Sequence, residues 1–265
     1  MDHIVITGGS RGIGKALALE FLNQGCRVSL TGRSRETIDA TVAELVANTG
    51  SKACHGFVCD VVRIADIQKL WEASTSIQEV HIWINNAGIN HINHQFHKLD
   101  PDVIGSVTDI NIRGTMFASK VVLEGMIKQG FGFLYNMEGF GSDGRIMEGM
   151  SIYGTSKNAV RYFTRSLIKE YQNTKVNIGT ISPGMVVTDM LLEPLRQEPE
   201  INSKALKVFH ILADPPEKVT PWLVSRILDN KKHGAHIAWL SKGKVMRRFF
   251  SSMFKKRKVK GLPDV

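Results

Sequence analysis

The segment 3–14 constrains the fold of this chain more than any other. His3-Ile4-Val5-Ile6 is a short β-rich run, the turn Thr7-Gly8-Gly9-Ser10-Arg11-Gly12-Ile13-Gly14 follows, and a helical stretch over 14–23 comes at once. Glycines at 8, 12 and 14 permit a tight turn, close approach of backbone to a pyrophosphate, and tight helix–sheet contact. The helix N-terminus adds free N–H groups and a partial positive charge, which favour phosphate. A glycine-rich turn alone says little, but between a strand and a helix it has a mechanism.

Beyond it, β-rich runs at 28–30, 56–59, 80–84, 132–135 and 176–181 alternate with helical stretches at 35–47, 64–74, 103–128 and 155–172. Such alternation predicts an α/β fold, a parallel sheet with helices on both faces. Right-handed crossovers then make it a single doubly wound sheet of the Rossmann type. No internal repeat or Gly/Ser linker divides the chain, so residues 1–240 read as one domain. Residues 189–216 interrupt the alternation after a strand end and are rich in Glu and Pro. They are expected to form a substrate lid, because ligands in such folds sit at the carboxyl ends of the strands. An apolar fraction of 43% supplies a large core, and 22% charged residues is too ordinary for disorder. Cys26, Cys54 and Cys59 are odd in number and irregular in spacing. This speaks against a disulfide frame or a zinc knuckle and for three small buried side chains in a reducing compartment.

Two further positions carry chemistry. A site for NAD wants an acid at the end of the second strand, yet the chain reads Leu30-Thr31-Gly32-Arg33 there. Arg33 and Arg11 can bracket a 2′-phosphate by charge-assisted hydrogen bonds, which favours NADPH over NADH. Tyr153 and Lys157, four apart on a helical stretch, share one face. A phenol of pKa near ~10 is a poor acid at neutral pH, and a cation on its face stabilises the phenolate. On most helices such a pair would be decorative.

Here it is not isolated. The T-G-x-x-x-G-x-G turn, Asn85-Asn86-Ala87-Gly88, Asn111, Tyr153-Gly154-Thr155-Ser156-Lys157 and Pro183-Gly184-Met185-Val186-Val187-Thr188 occur in this order within residues 4–188. Together they resemble the short-chain dehydrogenase/reductase family. The resemblance implies a proton-transferring Tyr153, a supporting Lys157 and an Asn111 that holds a water for the proton relay. It implies cofactor contacts from Thr7, Gly8, Ser10, Arg11, Gly12, Ile13, Gly14, Arg33, Asp60, Val61, Asn86, Ala87 and Gly88. Tyr153, Lys157, Pro183, Gly184, Val186 and Thr188 complete that set, with Asp60 at the adenine and Thr188 at the nicotinamide amide. It also implies a homodimer or homotetramer paired through the helical stretches 103–128 and 155–172.

One departure stands out. Where the family has a serine pair after the fifth strand, this chain has Glu138 and Gly139, with Ser142 downstream. Ser142 reaches the site only if the loop bulges, and Glu138 reads either as a supporting acid or as a structural loop acid. The run Asn136-Met137-Glu138-Gly139-Phe140-Gly141-Ser142-Asp143-Gly144, with Asn90-His91-Ile92-Asn93, resembles the chlorophyll b reductases within the family. That resemblance implies NADPH reduction of the 7-formyl group of chlorophyll b to 7-hydroxymethyl. Another bulky lipid-like or polycyclic carbonyl is the alternative substrate, and a non-catalytic NADPH-binding sensor is the alternative role. His91, His94 and His97 read as a polar loop or as substrate contacts, and no metal is expected, because their spacing drifts around a helix.

The net charge of +9 is unevenly placed: residues 230–263 hold no acid and carry +11, which leaves −2 for the rest. Within 241–265, Met246, Phe249, Phe250, Met253 and Phe254 recur on one helical face, making a basic amphipathic extension. This face suits packing on the same chain or a sister subunit, or peripheral contact with a membrane, and a charge run alone does not specify nucleic acid. No signal-like leader precedes the first strand and no window is apolar over ~20 residues, so the expectation is a cytoplasmic protein, membrane-associated at most.

Overall fold

The computed structural model describes residues 1–91, 94–197, 203–254 and 257–263. Seven strands form one parallel sheet in the order β3-β2-β1-β4-β5-β6-β7. They are β1 His3–Ile6, β2 Arg27–Gly32, β3 Cys54–Val58, β4 Ile82–Asn85, β5 Gly132–Met137, β6 Val176–Ser182 and β7 His236–Ala238. The order reverses direction between β1 and β4, so the loops after those two strands diverge and leave a crevice at the carboxyl edge.

Side chains alternate across the sheet as a strand requires. Ile4 and Ile6 enter one core with Leu17, Phe21, Leu30 and Leu223, while Val5 and Trp83 enter the other with Leu70, Val122, Met126 and Leu167. Helices α1 Gly12–Asn23, α2 Arg35–Thr49 and α9 Pro216–Leu228 cover the first face. The second face is covered by α3 Ile64–Ile77, α5 Thr115–Gln129 and α6 Ser151–Glu170, with α4 Pro101–Thr108 packed on α6. All three cysteines are buried and free, and burial pushes their thiols up to about 11 or 12.

Three details depart from the sequence reading. The stretch 103–128 is not one regular helix: a π turn over Asp109–Gly114 separates α4 from α5. The helix carrying Tyr153 starts at Ser151, earlier than 155, so Tyr153 sits in its first turns. Strand β7 and helix α9 went unread, because β7 is only 3 residues long and α9 holds an internal Pro221. The 189–216 region contains α7 Asp189–Gln197 and α8 Ser203–Leu212, with 198–202 outside the described residues, as are Ile92, Asn93, Lys255 and Lys256.

At the C-terminal end lies α10 Lys242–Ser252. Ser241 caps its start by accepting from the Lys244 N–H, but the Phe/Met face does not pack on its own chain. Cations hold the helix instead. Arg248 and Arg257 pair with the fully buried Asp214, to which the Trp239 indole N–H also donates at 2.7 Å. Lys244 lies over the Trp239 ring, 2.9 Å from its centroid. These cations and hydrogen bonds hold the Asp214 carboxyl below its usual range against the opposing effect of burial. No helix among the described residues is long and apolar enough to cross a membrane.

Substituting Asp214→Asn strips both guanidinium groups of their counter-charge. Urea unfolding is expected to show a loss of about 2 kcal/mol, less than the ~3–5 kcal/mol of a fully buried pair because Arg257 is partly solvated. A loss under about 0.5 kcal/mol would mean that the ion pairs do not anchor the C-terminal segment.

Candidate active site

The turn after β1 and the turn after β4 are laced together. Thr7 Oγ1 accepts from the N–H groups of Asn86 and Ala87, each at 3.1 Å, and the Asn86 amide donates to Thr7 O and Gly8 O, each at 2.9 Å. Gly8 has φ +63°, and a Cβ there would lie 2.8 Å from Ala87 Cα. A Cβ on Gly14 would lie 2.4 Å from Gly8 O and 2.5 Å from the Asn86 amide nitrogen. Side chains are excluded at both places by the closeness of the backbones.

This arrangement fits a pyrophosphate. Helix α1 begins at Gly12 with no side-chain cap and no acid in its first turn, so its leading N–H groups face the crevice without a competing carboxylate. Gly12 faces Thr188, whose methyl would be 3.6 Å from a Cβ at 12, so the 183–188 loop closes the other side. Arg11 and Arg33 are exposed at the same edge. Ser10 lies against Gly32, and Ile13 packs on the core of this face. Asp60 Oδ1 accepts from the Val62 N–H at 3.2 Å, and Val61 packs on Gly114 in the π turn. Pro183 and Val186 are buried, and Val186 bridges to Asp214.

Beside this cradle the remaining residues converge. The first turns of α6 bury Tyr153, Ser156 and Lys157. Its position is set from below by a buried polar chain: Trp83 Nε1 donates to Asn85, Asn85 to Asn136 at 2.8 Å, and Asn136 to Thr164 at 2.9 Å. The chain ties β4 and β5 to α6. Lys157 Nζ donates to Met137 O at 3.2 Å and lies 5.8 Å from the Tyr153 ring centroid. Asn111, on the π turn, accepts from the Ile89 N–H and donates to Ile89 O, both at 2.9 Å, and donates to Ser156 Oγ at 3.0 Å. Gly88 lies between: a Cβ there would be 3.2 Å from Asn111 Oδ1 and 3.5 Å from Lys157 Nζ.

Burial sets the electrostatics. It pushes Tyr153 up to about 12 and Lys157 down to about 8. Burial is the cause of the raised phenol, while Lys157 lies over the ring and bonds to Met137 O.

Glu138 is buried at the end of β5, and its negative charge partly offsets the effect of burial on Lys157. Desolvation pushes its own pKa up, against nearby His236 and Arg161, each 3.7 Å away, and a hydrogen bond with Thr180. Thr180 Oγ1 in turn meets His236 Nδ1 at 2.7 Å. The sequence pointed to Glu138 but not to Arg161, Thr180 or His236. The available signal was the acid itself, since a carboxylate buried beside a strand end requires partners.

Gly139 lies under the Tyr153 hydroxyl, which would be 2.5 Å from a Cβ at 139. The Ser142 hydroxyl donates to Gly139 O at 2.7 Å and accepts from Gly139 N–H at 3.0 Å, so it closes this loop on itself. Ile89, His91, His94 and Val107 line a cavity of about 470 Å³ beside Asn111, whereas His97 lies exposed in a 3-10 turn outside it.

The short chain dehydrogenase family matches residues 2–199. Over 271 residues the chain is 33% identical to "Probable chlorophyll(ide) b reductase NYC1, chloroplastic" of Arabidopsis thaliana, covering 96% of this chain and 53% of that one. With "Chlorophyll(ide) b reductase NOL, chloroplastic" of the same plant it shares 36% over 235 residues, covering 85% and 65%. The chain thus spans about half the length of the first relative. The crystal structure of levodione reductase superposes with TM-score 0.82 at 25% identity, covering 92% of this chain and 98% of that one.

Replacing Glu138 by Gln removes the charge that opposes desolvation of Lys157. The Lys157 titration, followed by nitrogen-detected NMR, is expected to fall below about 8, and an unmoved or raised value would refute the electrostatic link.

Proposed function

The chain belongs to the short-chain dehydrogenase family, and from that premise we propose that it is an NADPH-dependent carbonyl reductase. Its proposed substrate is chlorophyll b, with the 7-formyl group reduced to 7-hydroxymethyl. The convergence of Lys157 and Asn111 on Gly88, with Tyr153 beside Lys157 and its hydroxyl over Gly139, is the observation that carries this reading. The substrate rests on the likeness to the two chlorophyll(ide) b reductases.

NADPH, when bound, supplies the hydride. Thr7, Gly8, Ser10, Gly12, Ile13 and Gly14 would hold its pyrophosphate, and Arg11 with Arg33 its 2′-phosphate. Asp60 and Val61 would line the adenine side, while Asn86, Ala87 and Gly88 with the 183–188 loop would hold the nicotinamide end. The substrate carbonyl meets the Tyr153 hydroxyl. A raised phenol pKa keeps that proton in place at neutral pH, and Tyr153 releases it to the carbonyl oxygen as the C–H bond forms. Lys157, protonated below about 8, stabilises the resulting phenolate and helps return a proton along the Asn111 side. Ser142 supports the Gly139 loop under Tyr153 and acts through it rather than on the carbonyl. The cavity lined by His91 and His94 receives the body of the substrate. The chain assembles as a homodimer or homotetramer through α5 and α6, which leave Met116, Ile127 and Tyr162 exposed.

The deciding assay incubates the protein with chlorophyll b and NADPH, with NADH in parallel, and separates the pigments. The 7-hydroxymethyl product with NADPH is expected. No product despite tight NADPH binding would move the search to other bulky carbonyls. Tyr153→Phe should lower turnover about 10²–10⁴-fold with NADPH binding kept, and Ser142→Ala by less than about tenfold. Unchanged turnover in Tyr153→Phe would sink the mechanism. Turnover should also decline as pH rises through about 8, where Lys157 gives up its proton. Arg33→Asp should weaken NADPH binding by about tenfold or more while sparing NADH, and equal losses for both cofactors would remove Arg33 from the 2′-phosphate.

A further inference from the structure

An amphipathic helix on a protein surface ordinarily turns its apolar side inward. Helix α10 does the reverse. Met246 is 69% exposed, Phe249 41%, Phe250 62%, Met253 70% and Phe254 78%. The side facing the fold is cationic: Arg248 donates to Leu212 O at 2.7 Å and to Asp214 at 2.5 Å, and Lys244 rests on Trp239. Beyond the helix, Arg257 donates to Ile211 O at 2.9 Å and to Asp214. The apolar side chains thus form one outward patch, with the Phe250 and Phe254 rings 5.3 Å apart. A contiguous patch of this kind marks a contact surface.

Charge says what covers it. Residues 230–263 contain no acid, and Lys242 and Arg247, on α10 itself, stay exposed rather than docking the helix. A second copy would bring the same acid-free segment face to face with itself, which like charges oppose. An anionic lipid surface instead accepts both parts: acyl chains take the Phe and Met side chains, and headgroup phosphates take the cations. With 11 residues, α10 is too short to span a bilayer and lies in its plane.

We propose that α10, with the turn at Met253 and Phe254, is a docking face for an anionic membrane surface. It sits next to the site. Helix α10 packs on α8, and its anchor Asp214 donates its N–H to Met185 O and accepts from the Val187 N–H, both at 3.0 Å. His210 of α8 meets Pro263 O at 2.8 Å, so the tail also lies on α8. A docked molecule therefore presents the 183–188 loop and α8 to the bilayer, the direction from which a membrane-dissolved substrate would come. That use rests on the reductase reading, whereas the lipid contact does not.

The test uses the full chain with phosphatidylcholine vesicles and with vesicles that also contain phosphatidylglycerol. Co-sedimentation is expected with the second kind and should fall as salt rises. The double variant Phe250→Asp, Phe254→Asp should lose vesicle binding by about tenfold or more and keep its thermal midpoint. Arg247→Glu should weaken it less. Light scattering on the same samples reads the alternative occupant. If the wild type ignores both vesicles, or if the double variant changes only the oligomeric mass, the docking face is overturned. Pigment reduction in detergent micelles separates the two readings. Reduction without vesicle binding removes the docking face alone, and vesicle binding without reduction counts against the chlorophyll substrate alone.

Discussion

Asn86 donates two hydrogen bonds to Thr7 where β1 and β4 end, and the rest of the site is positioned by that junction. The two strands are neighbours whose following loops depart to opposite sides of the sheet, so the crevice between them exists wherever the order reverses. The lacing makes the crevice narrow and rigid: Gly8 lies against Ala87, and Gly14 fits under Gly8 O. Gly88, one residue further, is then delivered between Asn111 and Lys157. The glycine-lined crevice and the cluster of Asn111 and Lys157 are thereby held at a fixed separation by two turns.

Opposing effects meet at α6. Its first turns are buried, which disfavours the charged forms of both Tyr153 and Lys157. Glu138 moderates this for Lys157, but only because Arg161, Thr180 and His236 compensate its own burial. An acid at the end of β5 therefore costs three further residues drawn from α6, β6 and β7. Gly139 follows from the same crowding, since a side chain there would meet the Tyr153 hydroxyl. Ser142 then closes the loop that Gly139 opens.

Much of this was legible in order along the chain. The glycine turn, Asn85 to Gly88, Asn111, the Tyr153/Lys157 pair and the 183–188 loop are local patterns whose chemistry depends on residue type and spacing, and the structure brings them to one edge of the sheet. The partners of Glu138 were not legible, because they lie 23, 42 and 98 residues away and meet only through sheet register. Spacing likewise reports the cation beside Tyr153 but not the desolvation that raises its phenol.

The C-terminal segment divides the two kinds of information most sharply. Sequence periodicity determined that 246–254 forms one apolar face in a basic stretch, because a helix repeats every 3.6 residues whatever surrounds it. It could not determine which face turns inward. That was decided by Asp214, a carboxylate buried by the 185–187 loop and α8, whose need for cations draws Arg248 and Arg257 to it and leaves the phenylalanines outside. The sequence alone thus determined the strand–turn–helix frame and the types of the candidate site residues, since these follow from local conformation and side-chain chemistry. Their protonation, their partners and the facing of α10 were decided by tertiary structure, because burial and long-range pairing exist only once the chain is folded.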